Sequence, residues 1–222
     1  MRTIPQFRHE LINSAIRKFG PNPRYLEIGV CDPSLCFDLI QTLEKDSVDP
    51  GVEFESNPVK YQMTSDEFFS KLESNELDKP VDYKWDVIFI DGLHLAEQVE
   101  KDIHNSLKHL NPNGFVFLHD CSPPDSYMAR ETYFEKGYQE PWNGTVWKAF
   151  FKTRATQKYI DSCVVDTDWG VGVLRFGNNV SGLTLKDNEF YEYNVMAKNR
   201  TRHLGLINPV VWHKWLSNEF HI

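Results

Sequence analysis

The chain has 222 residues, 41% of them hydrophobic and 14% aromatic, with a formal net charge of -8, which suits one large domain with a substantial core. The acidity disfavours broad binding to nucleic acid or to an anionic membrane, and no apolar run approaches the ~20 residues that a membrane span needs. The first ten residues lack the apolar stretch of a signal peptide, and the four cysteines (Cys31, Cys36, Cys121, Cys163) contain no C-x-x-C pair, so the expectation is a cytoplasmic chain with reduced thiols and neither a zinc ribbon nor a thioredoxin motif.

Residues 6–19 predict an amphipathic helix, with Phe7, Leu11 and Ala15 on one stripe and Ile12, Ile16 and Phe19 beside it. Gly20 to Pro23 ends it. Residues 25–30 read as a first strand. Pro33 and Ser34 then open a helix to about Glu44, with Leu35, Leu39, Ile40 and Leu43 expected to face inward. A short second strand, 47–49, stops at Pro50-Gly51, and a weak third runs through 59–63. Thr64 to Glu67 has the spacing of a capping box, which starts a helix bearing Phe68, Phe69 and Leu72. Residues 85–91 form the fourth strand. Residues 95–110 form a helix with Leu95, Val99, Ile103 and Leu107 at every fourth position, and Asn111 to Gly114 launches the fifth strand.

This alternation is that of an α/β fold, a doubly wound, mostly parallel sheet. Residues 121–146 are then too rich in Pro, Tyr and Gly for an ordinary connection, and read as a substrate or lid loop. A helix follows near 146–155, with Trp147, Phe150 and Phe151 as core. The strands at 162–166 and 170–176 are joined by Thr167 to Trp169 alone. Three residues cannot make a parallel crossover, so the last strand of the seven is antiparallel. The tail, 185–222, reads as helical. Its Trp212 and Trp215 cap the sheet or make a dimer contact, with the cap favoured. An oligomer stays open. The whole is one domain, 1–222, with residues 1–20 as its helical lead.

Two stretches carry most of the chemistry: 85–94 and 114–121. Each is a run of Val, Ile and Phe that ends in acid and imidazole. Ligands sit beyond the carboxyl ends of strands in open parallel sheets, so Asp91, His94, His119 and Asp120 are expected to meet in one crevice. Burying carboxylates there is costly unless they bind something. At the end of the first strand stands Glu27-Ile28-Gly29, and Asp49 follows 20 residues after Gly29. That is the spacing of the acid that holds ribose hydroxyls in nucleotide-binding sheets. The plainer alternative is a loop glycine and a solvated acid. No G-x-G-x-x-G is present, and Cys31 stands where the second glycine would be. Such a loop suits a nucleoside without phosphate better than NAD or FAD.

With these residues in place, the chain resembles class I S-adenosylmethionine-dependent methyltransferases over about residues 20–175. The matching segments are 25–30, 48–50, 63–69, 86–94 and 118–120. More narrowly, Asp91-Gly92-Leu93-His94, His119-Asp120 and the segment 142–148 are similar to macrocin-type O-methyltransferases and cephalosporin hydroxylase-like proteins. The resemblance implies a Rossmann-like sheet with an antiparallel last strand and S-adenosylmethionine as cofactor. It implies that Glu27 and Gly29 line the methionine end, that Asp49 holds the ribose, and that Ser65 and Asp66 sit by the adenine, with Asp66 accepting from its amino group. Asp91 would lie near the methionine or the transferred methyl. Thr64 and Glu67 would cap their helix and leave Asp66 free to point outward.

The acid and imidazole cluster permits two chemistries. Asp91 and Asp120 could ligate Mg²⁺ or another divalent ion, with a histidine tilting the site toward Mn²⁺ or another transition metal. Some macrocin-type relatives use Mg²⁺ to hold two substrate hydroxyls, with an extra acid where this chain has His119. Alternatively His94, or His119, takes a proton from a substrate hydroxyl, His94 being the better placed. The aromatics Tyr127, Tyr133, Tyr138 and Trp142 either stack on a sugar or pack on one another, and Arg130 could meet a phosphate. The run 198–203 is a solvated helix end or a site for an anionic substrate such as a nucleotide sugar. The expected function is methyl transfer to a small acceptor, a hydroxyl of a sugar or glycan precursor. Its rivals are an inactive nucleoside- or partner-binding module of the same fold and a metal-dependent hydrolase.

Overall fold

A computed structural model of the chain describes residues 4–52, 58–133 and 141–217. Its centre is a seven-stranded sheet in the order β2-β1-β3-β4-β6-β5-β7. The strands are β1 (Tyr25–Ile28), β2 (Lys45–Val48), β3 (Trp85–Ile90), β4 (Leu110–Leu118), β5 (Ile160–Val165), β6 (Val171–Phe176) and β7 (Leu206–Ile207). Neighbours are parallel except around β6, which runs antiparallel to both β4 and β5. This is the Rossmann-like α/β sheet of the methyltransferase fold. The turn from Asp166 to Gly170 closes the expected hairpin.

The long apolar runs are explained by burial on both faces. Leu26, Ile28, Ile88, Ile90, Val116 and Leu118 face one core, shared with α2 (Ser65–Glu73), α3 (Ala96–Lys108) and α4 (Val146–Thr156). Tyr25, Val87, Phe89, Phe115 and Phe117 face the other, shared with α1 (Arg8–Ile16) and with α7 (Trp212–Leu216) in the tail. Trp212 and Trp215 stack at 5.6 Å and cover this face, with Trp212 6.0 Å from Phe117, so they are the sheet's cap. Two further short tail helices are α5 (Tyr193–Lys198) and α6 (Arg200–Leu204). Among the described residues no helix is long and apolar enough to cross a membrane.

Three expectations are corrected. The helix predicted over 33–44 is only two short 3-10 turns, Pro33–Leu35 and Phe37–Leu39. Leu35, Leu39 and Leu43 are exposed by 58%, 43% and 91%, and only Ile40 of the four turns inward. The Asp32 side chain caps Ser34, and Asn13 of α1 bonds both the Leu39 carbonyl (2.9 Å) and the Gln41 amide (2.8 Å). Tertiary hydrogen bonds thus serve backbone groups that a continuous helix would have paired internally. The weak third strand shrinks to one bridge, Val48 to Tyr61. The seventh strand is instead β7, inside a tail read as helical, where two residues pair with β5.

Candidate active site

The chain order reverses at β1, which lies between β2 and β3. Such a switch point opens a crevice at the carboxyl ends of the strands. Pairing sets three residues level there: the Asp91 amide donates to the Ile28 carbonyl (2.8 Å), the Gly29 amide to Val48 (2.9 Å) and the His119 amide to Ile90 (3.1 Å). Gly29 has φ +85°, and a Cβ on it would fall less than 3.0 Å from the Asp91 carbonyl and from Gly92. Glycine is therefore needed because the end of β3 passes against it.

The four residues expected to meet do so. The Asp91 carboxylate lies 3.3 Å from His94 Nε2 and 3.2 Å from His119 Nδ1. Asp120 lies 3.2 Å from His94 Nδ1 and 3.3 Å from His119 Nδ1. Asp120 itself sits at φ +58°, and the amide of buried Asn143 donates to its carboxylate. Trp142 stacks on His94 at 5.4 Å, and its carbonyl is 3.2 Å from His94 Nδ1. Two more groups complete the cluster. Asp168, from the β5–β6 turn, lies 3.4 Å from His119 Nε2, and Arg8 of α1 reaches Asp168 (3.2 Å) and Asp91 (3.6 Å).

Burial works against the charges of Asp91, His94, His119 and Asp168, and the attraction of their neighbours outweighs it. Despite burial, His119 beside Asp91, Asp120 and Asp168 holds its proton well above the ordinary histidine range. His94 is raised in the same way by Asp91 and Asp120. Asp91, though buried, is held well below the usual carboxylate range by His119 and His94, and Asp168 is lowered to about 2, chiefly by His119 once burial is overcome.

Glu27 behaves oppositely. It is 2% exposed, and burial raises its pKa to about 8 even though the Tyr25 hydroxyl donates to it. The folded state therefore keeps a proton that the unfolded chain releases near 4.5, so this group's effect on stability turns unfavourable as pH rises from about 4.5 to about 8. Glu27→Gln keeps an oxygen acceptor for Tyr25 and removes the charge. The variant is expected to match wild type near pH 4.5 and to exceed it by on the order of 2–4 kcal/mol at pH 9. Urea melts across that range check this, and a constant difference at all pH values would contradict it.

The other residues assigned to the cofactor are placed as follows. Asp49 stands at the end of β2, and its oxygens accept from the amides of Val30 (2.8 Å) and Gly51 (2.6 Å). It thereby ties down the loop after β1 and the turn after β2. Thr64 caps α2 by accepting from the Glu67 amide at 3.2 Å, but the Glu67 side chain pairs with Lys71 instead. Ser65 is buried and takes a hydrogen bond from Gln98. Asp66 is not free: Gln98 (2.9 Å) and Lys101 (3.0 Å) of α3 hold its carboxylate. In the long loop, Arg130 stacks on Tyr127 and donates to the carbonyls of Tyr127 and Tyr133, while Tyr133 packs on Trp142. That part of the loop packs on itself, and Tyr138 lies outside the described residues. In the run 198–203, Arg200 is bound to Ser122 and Pro123, Arg202 to Asp187, and His203 is buried.

Sequence reading passed over Arg8, Asn143 and Asp168. Arg8 opens a helix far from the motifs in sequence. Asn143 lay unused within a recognised segment. Asp168 left a usable trace, because a three-residue hairpin turn next to the His119 strand must lie at the same sheet edge.

Residues 27–121 match a family model described as a methyltransferase domain. The match includes Glu27, Gly29, Asp49, Asp91, His94, His119 and Asp120, so the expected likeness to methyltransferases is found over this part of the chain. No curated protein matches the chain. Among solved structures, it is similar to the MycE methyltransferase of the mycinamycin pathway, solved with Mg, SAH and mycinamycin VI, at 16% identity over 78% of this chain and 55% of that one, TM-score 0.42. It is also similar to the SAH-bound methyltransferase PaMTH1 of Podospora anserina, at 17% identity over 76% of each chain, TM-score 0.45. A third likeness is the O-methyltransferase TomG of Streptomyces achromogenes, solved with SAM, at 12% identity over 77% of this chain and 79% of that one, TM-score 0.45. All three are distant, and the fold assigned to this chain rests on its own sheet order.

Proposed function

We propose that the protein transfers a methyl group from S-adenosylmethionine to a hydroxyl of a small acceptor, a sugar or glycan precursor. The observation that carries this is the convergence of Asp91, His94, His119 and Asp120 beside the switch point, with β1 between the strand that ends at Asp91 and the strand that ends at Asp49, within the stretch that matches a methyltransferase domain. The site fits the cofactor by its donors: acids at three strand ends and no glycine cradle suit a nucleoside with a cationic tail better than a pyrophosphate. When bound, the cofactor supplies an activated methyl on a sulfonium.

Asp49 would grip the ribose, Glu27 and Gly29 would border the methionine end, and Ser65 and Asp66 would flank the adenine, whose amino group must compete with Lys101 for Asp66. His94 is the better placed of the two histidines to be the acceptor's base, once it has given up the proton that Asp91 and Asp120 favour on it. The Trp142 carbonyl fixes its Nδ1 side, and Asp91, 3.3 Å from Nε2, stabilises the imidazolium formed as Nε2 takes the hydroxyl proton. His119 has Asp91, Asp120, Asp168 and Arg8 around it and is better suited to holding Asp91 and Asp120 than to moving a proton. Trp142 and Tyr133 beside His94 offer an aromatic wall of the kind on which sugars stack. Arg130 is already engaged with its own loop, which favours a neutral sugar over a nucleotide sugar.

A divalent ion fits the same donors. One ligand atom each of Asp91, His94 and Asp120 lies within 4.8 Å of the others. Two oxygens and one nitrogen suit Mn²⁺ better than Mg²⁺, and such an ion would acidify a coordinated hydroxyl.

Calorimetric titration with S-adenosylhomocysteine, with and without Mg²⁺ or Mn²⁺, tests the proposal. Binding by wild type is expected, and Asp49→Asn should weaken it about tenfold to a hundredfold through loss of charge-assisted hydrogen bonds. A hydrolase would hardly notice that substitution. No binding by wild type, or unchanged binding by the variant, would overturn the assignment.

A further inference from the structure

The mechanism above leaves unused a cation that crosses the crevice. Arg8 is the first residue of α1. Its backbone amide donates to Asp168 at 2.8 Å, and Thr167 Oγ1 donates to the Gln6 carbonyl at 2.6 Å, so the start of α1 is fastened to the β5–β6 turn. From there the side chain runs back toward β3. Nη1 meets Asp168 at 3.2 Å and His119 Nε2 at 3.4 Å. Nε lies 3.6 Å from Asp91, beyond hydrogen-bond length, and is buried with no hydrogen-bond partner among the described residues.

A buried guanidinium N–H without an acceptor is costly. The side chain is nevertheless 17% exposed, as is that of Asp91, so a ligand can reach both. A carboxylate and a guanidinium a few ångströms apart are the complement of an α-amino acid, whose ammonium and carboxylate are similarly spaced. Arg is suited to the carboxylate half because its planar fork can make two parallel hydrogen bonds to it. Acceptor sugars carry no such pair of opposite charges. The methionine end of the cofactor does, and Gly29 and Asp91 border the place where it would lie.

Resting on the methyl-transfer reading, we propose that Arg8 binds the α-carboxylate of the cofactor's methionine moiety while Asp91 takes its α-ammonium, so that α1 supplies a cofactor-binding residue from outside the matched domain. This accounts for the double fastening of α1 at Thr167 and Asp168, which fixes the start of the helix to within the tolerance of a bidentate contact.

The test compares two ligands that share the adenosine thioether: S-adenosylhomocysteine, which has the amino-acid end, and methylthioadenosine, which lacks it. Wild type is expected to bind the first about tenfold or more tightly than the second. Arg8→Gln should weaken S-adenosylhomocysteine about tenfold to a hundredfold and leave methylthioadenosine within about twofold. Arg8→Lys, which keeps charge but not the fork, should fall between, and it is read in the same way if Arg8→Gln does not fold. Equal losses for both ligands, or no loss for S-adenosylhomocysteine, would overturn the role of Arg8 while leaving methyl transfer standing. Failure of wild type to bind either ligand would instead sink the methyl-transfer reading, and this inference with it.

Discussion

Gly29→Ala is expected to abolish measurable binding of S-adenosylhomocysteine and to cost about 2–5 kcal/mol of stability. Two penalties add. At φ +85° an alanine is held in the left-handed region, which costs about 1–2 kcal/mol for a residue with a Cβ. The new methyl would also overlap the backbone of Asp91 and Gly92, and overpacking costs typically about 1–3 kcal/mol. The clash is with main chain and not with the end of a flexible side chain, so relief requires β1 and β3 to part at the point where Asp91 pairs with Ile28. That displaces Asp91 and, through it, both histidines. Gly20→Ala is the control: nothing lies within 4 Å of its Cβ position, and the change should stay within about 0.5 kcal/mol. Urea denaturation of the two variants decides the matter, and a Gly29 variant as stable as the control would contradict the packing described.

The sheet was legible because its strands are apolar on both faces. Residues 85–90 and 114–118 can be nothing but buried strands, and the three-residue turn forces an antiparallel β6. The convergence of Asp91, His94, His119 and Asp120 follows from the same logic, since strand ends of a parallel sheet share one edge. What failed did so where local pattern was overruled from a distance. The Leu35, Leu39, Leu43 spacing looks helical, yet Asn13, some 26 residues earlier, bonds the Leu39 carbonyl. β7 is two residues long, and no pattern in two residues announces a strand. Asp66 has the right position for an outward acid, but Lys101 and Gln98 lie one helix away and hold it. Arg8 and Asp168 could be placed only once the fold brought the start of α1 and the hairpin turn together, because their 160-residue separation has no signature in a single chain.

The same electrostatics make His119 the residue whose loss the site tolerates least. His119→Ala is expected to destabilise the protein by about 3–5 kcal/mol at neutral pH, the usual cost of leaving a buried charge without its partner. The imidazole stands among Asp91, Asp120 and Asp168 at 3.2–3.4 Å. Without it those three carboxylates keep, among the described residues, only His94 and Arg8 as cations in ion-pair contact, and Arg8 is 3.6 Å from Asp91. His94→Ala should cost less: its side chain is 19% exposed against 8% for His119, and water can re-enter beside Asp91. The excess negative charge also predicts a rescue. Adding Asp168→Asn to His119→Ala removes one of the stranded carboxylates, so the double variant should be more stable than the additive sum by about 1–3 kcal/mol. Thermal melts of the two single variants and the pair measure that coupling directly. Strict additivity, or a His119 variant that melts like wild type, would mean that the imidazole is not the counter-charge that holds Asp91 and Asp120 in place, and its role would have to be sought in the proton transfer itself.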